Sequence, residues 1–306
     1  MSWFFLTIIS PFLYALTNHI DKILLERYFK NGGVGTLILI SSLLSALSLP
    51  FLFWADPTVF NTSVTNIVIL TLIGIMGVSI IWFYLMALDD DEASVTVIFY
   101  QLIPVFAVIL GYFVLDEVLT KMQLIAMAII ILGTSIISFE IDAENNFKLR
   151  RQTVFYMLAA STMEAICSVA FKYVALEETV VTSLFWTFFS STLVGIFIFI
   201  FVSSYRNNLI QALRINSKAI ISLNFLNEIL YMLGDIVFAF AYLMAPIALV
   251  LLVNSFQPIF VVAIGIFLTI FFPNITVEKI QAKHLFQKLL AVLITGIGTY
   301  ILLTSS

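Results

Sequence analysis

Long apolar runs separated by short polar breaks set the pattern of this chain. The runs fall at about 3–24, 34–54, 66–88, 93–115, 121–139, 153–176, 182–204, 218–243, 246–272 and 287–303. Each is about 20 residues, the length that carries an α-helix across roughly 30 Å of hydrocarbon. The pattern predicts an all-α polytopic membrane protein with ten transmembrane helices. Short connectors favour antiparallel neighbours. The longest polar break, 140–152, divides the chain near its midpoint. Segments 205–217 and 273–286 mix Lys and Arg with apolar residues and read as amphipathic pieces lying on the membrane surface.

Composition removes the soluble alternative. Of 306 residues, 62% are hydrophobic and only 10% charged, too few charges to cover a soluble domain. No basic segment precedes the first run, so no cleaved signal is expected. The single Cys167 lies inside a run and supports no disulfide framework. His19 and His284 have no companion cysteine or carboxylate cluster, so no metal is expected, and no cofactor is implied. Neither HExxH nor GxxxxGK[ST] occurs, which argues against an intramembrane metalloenzyme and against ATP coupling within the chain. The expectation is a non-enzyme.

The two halves resemble each other. Tyr84-Leu85-Met86-Ala87 recurs as Tyr242-Leu243-Met244-Ala245, Pro104-Val105-Phe106 as Pro258-Ile259-Phe260, and Gly133-Thr134 as Gly298-Thr299. The matches keep their order and fall in corresponding runs. Five runs per half make the second half enter the membrane in the opposite sense, an inverted-topology repeat of the kind secondary transporters use. The predicted units are a first five-helix repeat over 1–139, a polar linker over 140–152 and a second repeat over 153–306.

Tyr84-x-x-Ala87, Ala93-Ser94, Pro104, Glu117 after Gly111, and Gly133, set in paired five-run halves, resemble the drug/metabolite transporter superfamily, EamA type. The resemblance spans essentially the whole chain and implies a ten-helix bundle around a central cavity, working by alternating access. The second half departs from it, with no acid where Glu117 would map and an insertion near Pro273. The family is usually described with cytoplasmic termini, and here the charges disagree. Twelve of the Lys and Arg residues lie beside the odd-numbered connectors, whereas Lys121 and Lys172 alone lie beside the face that holds both termini. Positive charge stays on the cytoplasmic side. Both termini are therefore expected to face away from the cytoplasm, in a cell (inner) membrane.

Ionisable groups at membrane depth are costly and mark function or pairing. Glu164 lies central in the sixth run and Glu228 in the eighth. On the eighth, Asn224, Glu228, Tyr231, Asp235 and Tyr242 share one helical face, with Asn227 beside it. The expected solute site is lined by Glu164, Glu228 and Asp235, which are also the candidate proton carriers, with Asn224, Asn227, Asn18, Gln101, Asn254 and Gln257 as polar neighbours. Tyr14, Trp82, Tyr84, Tyr100, Trp186, Tyr231 and Tyr242 offer aromatic faces to a cationic amine. Against this stands pairing of the acids with Lys22 or Lys172, or protonated acids hydrogen-bonded between helices. Asp21-Lys22 reads as an interfacial ion pair, Lys172 as a snorkelling side chain, and Asp116 and Glu117 as solvated caps. Pro104 and Pro258 break backbone bonds within their runs and are expected hinges.

These residues predict a secondary active transporter of a small organic metabolite, cationic or amine-bearing, coupled to protons or exchange. The alternative is an exporter of neutral or amphipathic metabolites or drugs, with the acids serving structure or proton antiport. The partners expected are a small-molecule solute and the bilayer, with no nucleic acid. Ten spans suffice for a working monomer.

Overall fold

The computed structural model describes residues 2–29, 33–90, 101–140, 151–271 and 282–305. These residues are helical throughout, with no strand among them. Seven helical segments are long and apolar enough to cross a membrane, and three shorter apolar helices accompany them at Ile103–Leu115, Lys121–Ile136 and Leu289–Thr304. The protein is an integral membrane protein.

Several spans are broken, each for a local reason. The first consists of α1 (Ser2–Thr7) and α2 (Ile9–Ile23). Pro11 has no N–H to offer the Thr7 carbonyl one turn back, and the helix is interrupted at Ile8. Beyond Ile23 the helix continues as a π turn, Leu24–Tyr28, closed by Phe29 N–H donating to the Leu24 carbonyl at 3.0 Å. It therefore reaches a turn past the predicted end. The second span is α3 (Gly33–Leu44), a 3₁₀ segment over Ser45–Ser48, and α4 (Leu49–Ala55). Ser45 and Ser48 turn their hydroxyls onto the carbonyls of Ser41 and Ser45, at 3.2 and 2.7 Å, and Pro50 removes a further donor.

Then follow α5 (Val64–Asp90), α6 (Ile103–Leu115), α7 (Lys121–Glu140), α8 (Arg151–Glu177) and α9 (Val180–Phe201). Helix α10 (Ser203–Tyr242) includes the 205–217 segment and kinks at Asn216, where φ is −139° and ψ 47°. The chain closes with α11 (Ile247–Asn254), α12 (Gln257–Phe271) and α13 (Ala282–Thr304). The predicted linker lies largely outside the described residues, as do the first part of the fourth run and most of 273–286.

Packing joins elements from opposite halves. Helix α7 lies on α13, α5 on α8 and α9, α2 on α10 and α12, α3 on α9, and α6 on α8 and α11. Glycines permit the closest crossing. A Cβ on Gly133 would fall 2.5 Å from Thr295 Oγ1 and 2.8 Å from Thr295 N, and one on Gly298 would fall 2.8 Å from Ile130 Cγ1. Residue 133 opposite 295 and 130 opposite 298 means that the helices run antiparallel. The same holds for α2 and α10, where Tyr14 meets Asp235 and Asp21 meets Asn227. It holds for α5 and α8 too, where Asn66 meets Glu177 and Phe83 meets Tyr156.

The connectors sort to two ends. At one end Asp56 accepts hydrogen bonds from Thr58, Thr179 and Thr182, and Asn66 donates to Glu177 and Glu178. The hydroxyl and amide of Thr58 hold the Asp56 carboxyl below its ordinary pKa. At the other end Arg27, Tyr28 and Phe29 share a cavity of about 330 Å³ with Asn208, Gln211 and Asn216.

Candidate functional site

The predicted polar face of α10 turns into the bundle. Asn224, Asn227 and Glu228 are buried, and Glu228 is only 2% exposed. A carboxylate so placed needs donors. Ser41 Oγ donates to Glu228 Oε2 at 2.5 Å and Ser45 Oγ to Oε1 at 3.2 Å. Both serines belong to the broken second span, one at the end of α3 and one in the 3₁₀ segment. Asn224 Nδ2 donates to the Ile220 carbonyl at 2.8 Å.

Two turns along α10, Asp235 accepts a 2.5 Å hydrogen bond from the Tyr14 hydroxyl. The Tyr14 ring lies 5.5 Å from that of Tyr231 and 6.1 Å from that of Phe238. Gly234 makes room for Tyr14, since a Cβ there would fall 2.6 Å from its Cε1. On α8, Glu164 hydrogen-bonds to Ser168, whose Oγ is 3.2 Å from the Tyr242 hydroxyl. Asp235 on α10 lies within electrostatic reach of both Glu164 on α8 and Glu228 on α10. Among the described residues no lysine or arginine pairs with any of them. The predicted acids are thus brought together, with Tyr14, Tyr242 and Tyr231 around them.

Asp21 joins this group. Because the helix continues through the π turn, Asp21 lies within it rather than at its end, and accepts from Asn227 Nδ2 at 2.7 Å. Lys22 is exposed on another face, so the expected interfacial ion pair is not made. Asp21 is also close enough to Glu228 and Tyr84 for their charges to interact. Asn18, a turn from both helix contacts, is exposed, and Tyr231 is 38% exposed.

Other candidates lie elsewhere. Trp186 Nε1 donates to the Val59 carbonyl at 2.9 Å, at the connector end of α9, and Trp82 is exposed beside Phe83. Gln101 is buried and accepts from Thr134 Oγ1 at 3.2 Å. Tyr100 is outside the described residues. Asn254 closes α11 with its Oδ1 buried and without a hydrogen-bond partner, and Gln257 opens α12. The break between those two helices, at Ser255–Phe256, lies just before Pro258. Gln101 and Leu102 form a turn just ahead of Pro104, the second residue of α6. His19 Nε2 lies 3.0 Å from the Val261 carbonyl, and no cluster of His, Cys, Asp and Glu suited to a metal occurs among the described residues.

A second charged feature departs from expectation. Lys172 Nζ is 2.5 Å from Glu117 Oε1 and donates to the Ala245 carbonyl at 2.7 Å. Glu117 Oε2 accepts from Ile247 N at 2.7 Å. Lys172 is therefore a buried cation rather than a snorkelling one. Glu117 caps α11, not α7, and is only 16% exposed. Asp116 takes the left-handed conformation, φ 54°, that turns the chain out of α6 and aims Glu117 at this site.

Comparison with known proteins follows from this geometry. One solved structure, described only as "Crystal structure of protein", superposes with a TM-score of 0.64 at 13% identity, covering 98% of this chain and 96% of that one. That likeness speaks for the fold alone. No curated protein sequence matches the chain. Residues 1–139 match the family model described as the EamA-like transporter family.

Proposed function

We propose, from the premise that residues 1–139 belong to the EamA-like transporter family within the drug/metabolite transporter superfamily, that this chain is a secondary transporter of a small cationic metabolite. The observation that carries the solute class is the set Glu164, Glu228 and Asp235, held inside the bundle with no basic partner among the described residues. Buried carboxylates of this kind bind a cation, exchange protons, or do both in turn. Tyr14, Tyr231 and Tyr242 supply rings on which an amine can rest.

The working unit is a ten-helix bundle of two inverted five-helix repeats, 1–139 and 153–306, joined by 140–152. The helix pairings support it. Exchanging the halves maps α7 on α13 onto itself, and maps α5 on α8 onto α10 on α2. The antiparallel sense of these contacts is what five crossings per half require. Pro104 and Pro258 each stand second in their helices, after a turn, which supports hinges at equivalent places in the two halves. A solute enters from one side, meets the acids, and leaves from the other as the repeats rock, with protons or a second solute moving in exchange. Positive charge near the odd-numbered connectors supports both termini facing away from the cytoplasm.

The test is transport in proteoliposomes with a solute that stabilises the protein. Glu228→Gln is expected to abolish gradient-driven uptake while solute exchange persists, whereas Asp235→Asn, which removes a solute contact, is expected to abolish both. Equal loss of both activities in Glu228→Gln would contradict proton coupling through this acid.

A further inference from the structure

Asp21 with Asn227, and Glu228 with Ser41 and Ser45, set side-chain oxygens from three spans beside consecutive residues of α10, with Asp21 in electrostatic reach of Glu228. The sequence gives no hint that they meet, because Ser41 and Ser45 lie in a different span from either acid. Asn227 is 7% exposed, and its Oδ1 is buried without a hydrogen-bond partner, whereas its Nδ2 is fixed on Asp21. The amide thus holds an unused acceptor beside a carboxylate. A buried acceptor with nothing to accept is costly and calls for a donor or a cation.

Three observations favour a cation. First, two carboxylates stand within electrostatic reach, and no lysine or arginine among the described residues pairs with either. Second, the donors are all oxygen, with no imidazole or thiolate, which suits a hard ion. Third, the second span breaks into a 3₁₀ segment at Ser45–Ser48, beside Glu228. Interrupted helices inside the membrane are where ions are held in transporters, because unwound backbone and short polar side chains reach the ion together. Two carboxylates this close inside an apolar bundle share a proton, which leaves one negative charge and suits a monovalent ion, and no group of three acids, histidines or cysteines occurs among the described residues.

We propose that Asp21, Asn227, Glu228, Ser41 and Ser45 form a sodium site, which takes Glu228 from the acid cluster as its coupling group and adjoins the Tyr14, Asp235 and Glu164 region where the solute rests. The proposal rests on the transporter reading for its purpose, since a sodium gradient then drives the solute, but not for its binding chemistry. Sodium docks between Asp21 and Glu228, takes Asn227 Oδ1 and the serine hydroxyl oxygens as neutral ligands, and ties α2, α3 and α10 together. Glu228 then holds sodium in the loaded state, and protons compete with it in the empty state.

The experiment is thermal unfolding of the purified full chain in chloride salts of sodium, potassium and choline at one ionic strength. Sodium alone is expected to raise the midpoint, saturably, as a ligand of the folded state does. Asn227→Ala and Ser45→Ala should each raise the half-saturating sodium concentration about tenfold or more, read against each variant's own midpoint in choline. Ser45→Ala keeps the test alive if Asn227→Ala does not fold. Equal stabilisation by all three salts, or an unaltered sodium response in both variants, overturns the site. Sodium stabilisation without any response to cationic solutes would retain the site and contradict the solute reading. The reverse pattern would do the opposite.

Discussion

At the residue scale, the Lys172–Glu117 pair gives the sharpest energetic expectation. Both groups lie away from water and share backbone partners at Ala245 and Ile247. Removing one leaves the other as an uncompensated buried charge, at a cost of about 3–5 kcal/mol, whereas replacing both leaves no stranded charge. Lys172→Met and Glu117→Gln are each expected to lower the unfolding midpoint strongly, and the double variant less than either alone. A double variant worse than both would show that the pair is not what holds this end. Asp56 sets a second expectation. The Thr58 hydroxyl and amide depress its pKa, so the stability it contributes is present above about pH 4 and fades as pH falls below that. Hydrogen exchange over 56–63 and 178–182 is expected to quicken in that acid range, and Asp56→Asn should remove the change. Neither feature could be read from the sequence. Glu117 and Lys172 are 55 positions apart, each near the end of an apolar run where solvent is the default partner. Asp21 was misplaced for a related reason, since the π turn that extends its helix leaves no mark in hydrophobic periodicity. The α10 acids, by contrast, are legible, because their spacings put them on one helical face.

At the scale of elements, the glycine crossing of α7 and α13 has little tolerance. Gly133→Ala places a methyl 2.5 Å from Thr295 Oγ1 and 2.8 Å from the Thr295 backbone nitrogen. Overpacking of this kind costs about 1–3 kcal/mol. Adding Thr295→Ala is expected to give little rescue, since the backbone nitrogen stays in the way, and full rescue in thermal unfolding would refute the crossing geometry. The matched Gly-Thr pairs single out these two helices, although a sequence match cannot say that the helices pack together. The prolines behave differently. They start α6 and α12 rather than kink continuous helices, so Pro258→Ala should allow α11 and α12 to join. Transport is expected to fall more than thermal stability, whereas equal losses would make the break a packing feature only.

For the whole molecule, run lengths and parity made an all-helical membrane protein legible, and the described helices agree. Breaks within spans were less legible, because serine-rich turns and π turns keep the hydrophobic character of their neighbours. Sidedness follows from charge counting and is open to direct test. Cysteines placed at Arg214 and Thr179 should be labelled by impermeant reagents from the cytoplasmic and the opposite side, respectively; the reverse would invert the orientation. If the acids on α8 and α10, which have no basic partner among the described residues, receive a cationic solute, thermal unfolding of the wild-type chain and the Asp235→Asn variant against a panel of cationic, neutral and anionic metabolites will show it. Stabilisation by one or more cationic amines, lost in Asp235→Asn, is the expected result; stabilisation by anions alone, or a response that Asp235→Asn leaves unchanged, would contradict this role for the acids.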